Sequence, residues 1–240
     1  MAEHDDTNLI LECAFKVEQY VHYDLRLPKP RGDGESAPLL IALHGYGGSK
    51  SQMMRDALEI APENFAVVSL QGVHQHLKER RAPEEPLRYG FGWLTNFRPE
   101  ESTELHHRAL LDVVEILAED GSIDRAHVFL LGFSQSVALN YRFAFTYTKI
   151  LRGVVGICGG LPGDWDKSLR YKETRAAVLH LSGARDEFYP PARTNDYKNR
   201  LSTRAASVEV RDYDAGHEIT DRMREDVRAW LQHQCGASSD

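Results

Sequence analysis

Short, nearly unbroken apolar runs recur along the chain at residues 39–43, 65–70, 128–131, 154–158, 177–181 and 208–213. Runs this short and uninterrupted predict strands covered on both faces, as in the middle of a parallel sheet. Between them apolar positions repeat at helical spacing. Leu110, Val114 and Leu117 mark one helix; Met223, Val227, Trp230 and Leu231 mark a C-terminal one, opened by Thr220 as N-cap. Strands alternating with helices predict an α/β, mostly parallel, doubly wound sheet. Val21, Tyr23, Leu25 and Leu27 alternate instead with polar residues, which predicts a half-buried strand in an antiparallel N-terminal edge hairpin. A turn-rich break covers residues 28–38. With no internal repeat or low-complexity tract, residues 1–240 read as a single domain.

One stretch breaks the rhythm. Residues 71–101 are too long and too aromatic for an ordinary connection in a compact domain, and read as an insertion covering a substrate site. Tyr89, Phe91, Trp93, Leu94 and Phe97 either line a pocket there or anchor the segment to the sheet.

Composition narrows the partners more than the fold. Hydrophobic residues make up 42% and charged residues 27%, the range of an ordinary globular protein. The net charge is -7, and the 29 Lys and Arg are interleaved with acids, so no basic face exists for nucleic acid. A neutral small-molecule substrate fits this charge. The three cysteines, Cys13, Cys158 and Cys235, are widely spaced and odd in number, which suits a reducing compartment. The acidic start lacks a signal-peptide pattern and no apolar run reaches membrane-spanning length. Stable membrane insertion is therefore not expected, and a cytoplasmic location is.

Of four Gly-x-Ser tripeptides, those at 34–36, 47–49 and 236–238 lie in turn-like or terminal settings. Gly132-Phe133-Ser134 alone follows an apolar run and opens a helical pattern through Val137, Tyr141 and Ala144. That is the strand, sharp turn and helix that present a nucleophilic serine at the carboxyl edge of a sheet. The usual elbow is Gly-x-Ser-x-Gly, but here the last position is Ser136. A serine hydroxyl needs a base, and the base needs an acid to fix its tautomer. In this arrangement acid and base follow the serine in chain order, each after a later strand. Of eleven histidines this leaves His180, His217 and His233. His180 sits inside an apolar run and His233 in the last helix. His217 lies in Asp214-Ala215-Gly216-His217, just past the last strand, and is the best-placed base. Asp186, just past the preceding strand, leads Asp164, Asp166 and Glu187 as the acid.

Acyl chemistry also needs N–H donors for the developing oxyanion. Gln135, next after the serine, supplies one; Tyr46, in the glycine-rich turn His44-Gly45-Tyr46-Gly47-Gly48 after the first central strand, supplies the other. That turn lacks the pattern of a phosphate loop. His74-x-His76 and His106-His107 read as surface residues, and no spacing suggests a metal site.

Leu-His-Gly-Tyr-Gly-Gly at 43–48, Gly-Phe-Ser-Gln at 132–135, Ser-Gly-Ala-Arg-Asp at 182–186 with Pro190-Pro191, and Gly-His-Glu-Ile at 216–219 occur in this order. In these segments the chain resembles the phospholipase/carboxylesterase family of α/β hydrolases, a group that includes acyl-protein thioesterases and small bacterial carboxylesterases. The likeness runs from about residue 38 to the C-terminal helix. It implies the α/β-hydrolase fold, the roles given to Ser134, Asp186 and His217, oxyanion donation by Tyr46 and Gln135, small acyl ester or thioester substrates, and no cofactor. Ser136 and the aromatic segment around Trp93 depart from the family pattern. Trp93, Phe188 and Tyr189 are the candidate pocket residues. The expected activity is serine carboxylic ester hydrolysis through an acyl-enzyme. A thioesterase or lysophospholipase would use the same triad, and a catalytically silent binding protein of the same fold is the alternative from another class.

Overall fold

A computed structural model describes residues 11–29, 36–80 and 82–236. In chain order its elements are β1 (Tyr23–Arg26), β2 (Ala37–Leu43), α1 (Lys50–Ile60), β3 (Ala66–Leu70), β4 (His74–Leu77), β5 (Tyr89–Gly92), α2 (Pro99–Glu119) and β6 (Ile123–Phe133). There follow α3 (Gln135–Thr146), β7 (Gly153–Ile157), β8 (Ala177–Gly183), α4 (Pro191–Thr194), α5 (Tyr197–Ser202), β9 (Val208–Tyr213) and α6 (Asp221–Gly236). Parts of the 28–38 break and of the 34–36 and 236–238 tripeptides lie outside the described residues.

Seven strands form one sheet in the order β1-β3-β2-β6-β7-β8-β9, parallel throughout except for β1. The unbroken apolar runs have the expected cause, since successive side chains of a strand point to opposite faces and both faces are covered. In β2, Leu39, Ile41 and Leu43 enter a core shared with α2 and α3, whereas Leu40 and Ala42 enter one shared with α1 and α6. Strand β6 extends the 128–131 run to eleven residues, because its first half is a more exposed continuation beyond the buried centre.

The N-terminal strand forms the antiparallel edge, but its partner is β3, with Tyr23 opposite Leu70, and not the next strand along the chain. The 71–101 stretch is partly regular. Strands β4 and β5 make a separate two-stranded antiparallel sheet, and residues 99–101 already belong to the first turn of α2. Strand order reverses between β2 and β6. The crevice beyond the carboxyl ends of these strands is where an open α/β sheet places its ligands.

Candidate active site

Ser134 is the one residue between β6 and α3. Its backbone lies at φ 58° and ψ -116°, a region that favours glycine, and its side chain does not cap the helix it precedes. The hydroxyl is thus left for other partners. The tight reversal brings strand and helix into contact, and a Cβ on Gly132 would lie 2.5 Å from the Asn140 side chain. Asn140 is fully buried and braces the turn. Its amide satisfies its neighbours with the oxygen on the Gly132 N–H (3.3 Å) and the NH₂ on Ser136 O (3.3 Å) and His106 Nε2 (3.2 Å). Ser136 fits where the motif normally has glycine because its buried hydroxyl is spoken for. It accepts from Phe133 N at 3.1 Å and reaches the carbonyls of Leu43 at 2.9 Å and Phe133 at 3.0 Å.

His217 lies in the loop after β9. The carboxylate of Asp186 can only accept, so Nδ1–H of His217 donates to Asp186 Oδ2 at 2.9 Å, which leaves Nε2 to accept from Ser134 Oγ at 2.9 Å. Asp186 is 2% exposed. Its other oxygen accepts the N–H groups of Phe188 and Tyr189, both at 2.9 Å. Burial opposes its ionisation, but the bonds from His217, Tyr189 and Phe188 outweigh that and hold the carboxyl below its ordinary range. The loops after β8 and β9 are joined by Ala184 N to Tyr213 O (2.7 Å) and Arg185 N to Ala215 O (2.9 Å), which fixes Asp186 against His217.

The other candidates lie elsewhere. His180 is fully buried in β8, its Nδ1 2.9 Å from Tyr141 Oη, and burial lowers its pKa to about 4. His233 is exposed on α6. Asp164 is bound to Arg142 and Tyr171, Asp166 to Arg200, and Glu187 is exposed.

The turn after β2 packs directly on the elbow, so closely that a Cβ on Gly45 would lie 3.0 Å from Ser134 Cβ. The N–H groups of Tyr46 and Gln135 make no hydrogen bond among the described residues. Gln135 is the first residue of α3, where the helix carries partial positive charge. His44, part of the 43–48 motif but given no role by it, holds the turn in place. Nδ1–H donates to Gly45 O (2.7 Å), and Nε2 accepts from Gly72 N (3.0 Å) and Gln71 Nε2 (3.2 Å). Burial lowers its pKa, so the ring stays neutral.

Strand β5 lies against the same turn, with Gly47 N on Phe91 O (2.8 Å) and Phe91 N on Gly48 O (3.2 Å). Trp93 is 1% exposed and does not reach a pocket surface. Its indole N–H donates to His44 O (2.8 Å), its ring meets His44 and His106, and its backbone N–H donates to Gln135 Oε1 (2.8 Å). Tyr46 is exposed and stacks on His76 with ring centroids 4.4 Å apart. Phe188 and Tyr189 face the imidazole of His217, at 4.8 Å and 5.9 Å between centroids. Phe133, hidden in the motif as its variable residue, does so at 4.9 Å.

A cavity of about 350 Å³ opens beside His217, with apolar walls from Met53, Phe133 and Ile219 and an Asp56–Arg224 ion pair among its polar lining. His106 and His107 are not surface residues. Both are buried on the inner face of α2 among Trp93, Phe143 and Tyr147, and burial lowers their pKa values to about 3 and about 4. Among the described residues, one cluster of potential metal donors occurs, Cys158 with Asp186 and His217.

A model of the phospholipase/carboxylesterase family matches residues 31–235. A carboxylesterase structure from Bacillus cereus superposes with a TM-score of 0.69 at 20% identity, over 89% of this chain and 94% of that one. One from Mesorhizobium loti does so with a TM-score of 0.66 at 24% identity, over 83% and 90%. At those identities the likeness speaks for the fold. A Nocardia uniformis subsp. tsuyamanensis protein named "Putative esterase NocK" is 29% identical over 128 residues, 53% of this chain. The match spans 34% of that relative's length.

Proposed function

The chain belongs to the phospholipase/carboxylesterase family, and on that premise we propose that it is a serine carboxylic ester hydrolase acting on short-acyl esters. One observation carries the reading: His217 bridges Ser134 and Asp186 with 2.9 Å contacts on both ring nitrogens. His217 Nε2 takes the Ser134 proton as Oγ attacks the ester carbonyl, and Asp186 stabilises the imidazolium. The N–H groups of Tyr46 and Gln135 receive the oxyanion. Losing one such donor typically costs on the order of 100-fold to 1000-fold in rate. His217 then protonates the departing alcohol, and water, deprotonated by the same ring, releases the acid from the acyl-enzyme.

The cavity beside His217 is at the small end of ligand sites, which supports a compact substrate group. Phe133 supplies an aromatic wall of that cavity, Phe188 and Tyr189 pack on the His217 ring as candidate pocket residues, and the insertion holds the oxyanion turn from behind. We take residues 1–240 as one domain. No helix among the described residues is long and apolar enough to cross a membrane. The free thiols support a reducing, cytoplasmic setting.

The test is steady-state hydrolysis of p-nitrophenyl esters from acetyl to dodecanoyl by wild type and Ser134→Ala, with matched circular dichroism. Turnover confined to wild type and greatest for short acyl groups is expected. Equal rates in both proteins would overturn the assignment of Ser134.

A further inference from the structure

The thiol of Cys158 has no part in the proposed ester cleavage, yet it lies among its groups. Cys158 follows β7 in a left-handed backbone conformation, φ 47°, which disfavours any Cβ. The residue is 1% exposed, and its Sγ lies 3.5 Å from Glu218 O and 3.9 Å from Gly216 O, the carbonyls on either side of His217. Ligand atoms of Cys158, Asp186 and His217 all lie within 4.8 Å of one another. No sequence spacing reveals this, since the three follow three different strands.

We propose that Cys158, Asp186 and Nδ1 of His217 form a site for a thiophilic divalent cation, Zn²⁺ or Cd²⁺, whose binding switches the enzyme off. Thiolate, imidazole and carboxylate are the donor types zinc selects. One thiolate and one carboxylate with a neutral imidazole also cancel the cation's charge, which a buried site requires. Two zinc ligands at tetrahedral angles stand about 3.4 Å apart. The 2.9 Å Asp186–His217 contact need therefore open by only a few tenths of an ångström, with Sγ moving inward. Burial, reinforced by Asp186, pushes the thiol up to about 12, so without a cation it is neutral and not a competing nucleophile. Coordination reverses that preference.

The proton balance explains the inhibition. The cation takes the sulfur electron pair and the thiol proton leaves to solvent. The cation also occupies Nδ1, so the single proton of neutral His217 moves to Nε2. Nε2–H cannot accept a proton from Ser134, and the nucleophile loses its base.

The test uses Co²⁺ as a spectroscopic probe and Zn²⁺ as the inhibitor. Wild type with Co²⁺ should show a thiolate-to-metal charge-transfer band and intense tetrahedral d–d absorption, and so should Ser134→Ala. That binding readout is independent of whether the protein cleaves esters. The Cys13→Ser/Cys235→Ser double variant should keep both bands, and Cys158→Ser and Cys158→Ala should lose them. Incubation with Zn²⁺ should lower wild-type turnover at least tenfold, reversibly with a chelator, and leave either Cys158 variant at its own metal-free rate. Absence of a thiolate band in wild type, its loss in the double variant, or equal Zn²⁺ inhibition of wild type and the Cys158 variants would overturn the proposal.

Discussion

Ser134 is held in a backbone conformation that the free residue would resist, and Asp186 in a buried setting that by itself would disfavour its charge. Ser134 sits at φ 58°, where a non-glycine residue costs of order 1–3 kcal/mol. Replacing it with glycine removes that strain, offset in part by the larger backbone entropy glycine loses on folding. Ser134→Gly should therefore unfold at a higher temperature than wild type while turning over no ester. An unchanged or lower midpoint by calorimetry would mean that the elbow stores no strain. Asp186 is kept ionised by three N–H donors against the pull of burial. Its folded pKa is depressed, so its stabilisation is present above the unfolded value of about 3.9 and is lost as pH falls through the folded value. Asp186→Asn should lower urea stability relative to wild type at pH 7, and the gap should narrow below pH of about 4. The same variant should cut kcat by about 10⁴ by favouring the wrong His217 tautomer. A stability gap independent of pH would argue against the ionised Asp186.

At the scale of elements, the central strands were legible because both faces of the sheet are covered, which turns burial into unbroken apolar runs such as 39–43. The strand-to-helix turn at Ser134 was legible for the same reason, a run ending on a glycine. Pairing was not. Strand β1 alternates as an edge strand should, but nothing local says that its partner is β3, over 40 residues away. The hairpin β4–β5 joins His-Gln-His-Leu to Tyr-Gly-Phe-Gly through a long connection, so no tight turn announces it. His106 and His107 stand between Glu104 and Arg108 and read as exposed, whereas aromatic neighbours supplied by other elements make their face of α2 part of the core. The 71–101 segment is tied to α3 through the Gln135 side chain. Gln135→Ala leaves the backbone N–H at 135 in place but strands the buried N–H of Trp93, a loss of about 1–3 kcal/mol locally. Amide exchange at residues 89–93 should quicken in this variant, read by mass spectrometry. Unchanged exchange there would show that the bond does not hold the segment.

Across the whole molecule, the three site residues follow β6, β8 and β9 and meet only when the sheet is assembled. Ester turnover and far-ultraviolet circular dichroism should therefore be lost over the same urea range. Activity vanishing well before the helical signal would show that the loops after β8 and β9 open separately from the sheet. The sequence order of acid and base named these residues, but their joining through Ala184–Tyr213 and Arg185–Ala215, and the placing of Cys158 beneath them, are properties of neighbouring strands and have no linear signature.

The double attachment of Gln135 bears on how this scaffold can be re-engineered. One residue heads α3 beside Ser134 with its main chain and clasps the 71–98 segment with its side chain. This segment and the Ser134 turn are therefore not interchangeable modules. A chimera that grafts a foreign 71–98 segment must present an amide where Trp93 does, and a library that randomises position 135 changes the seating of the graft along with the chemistry.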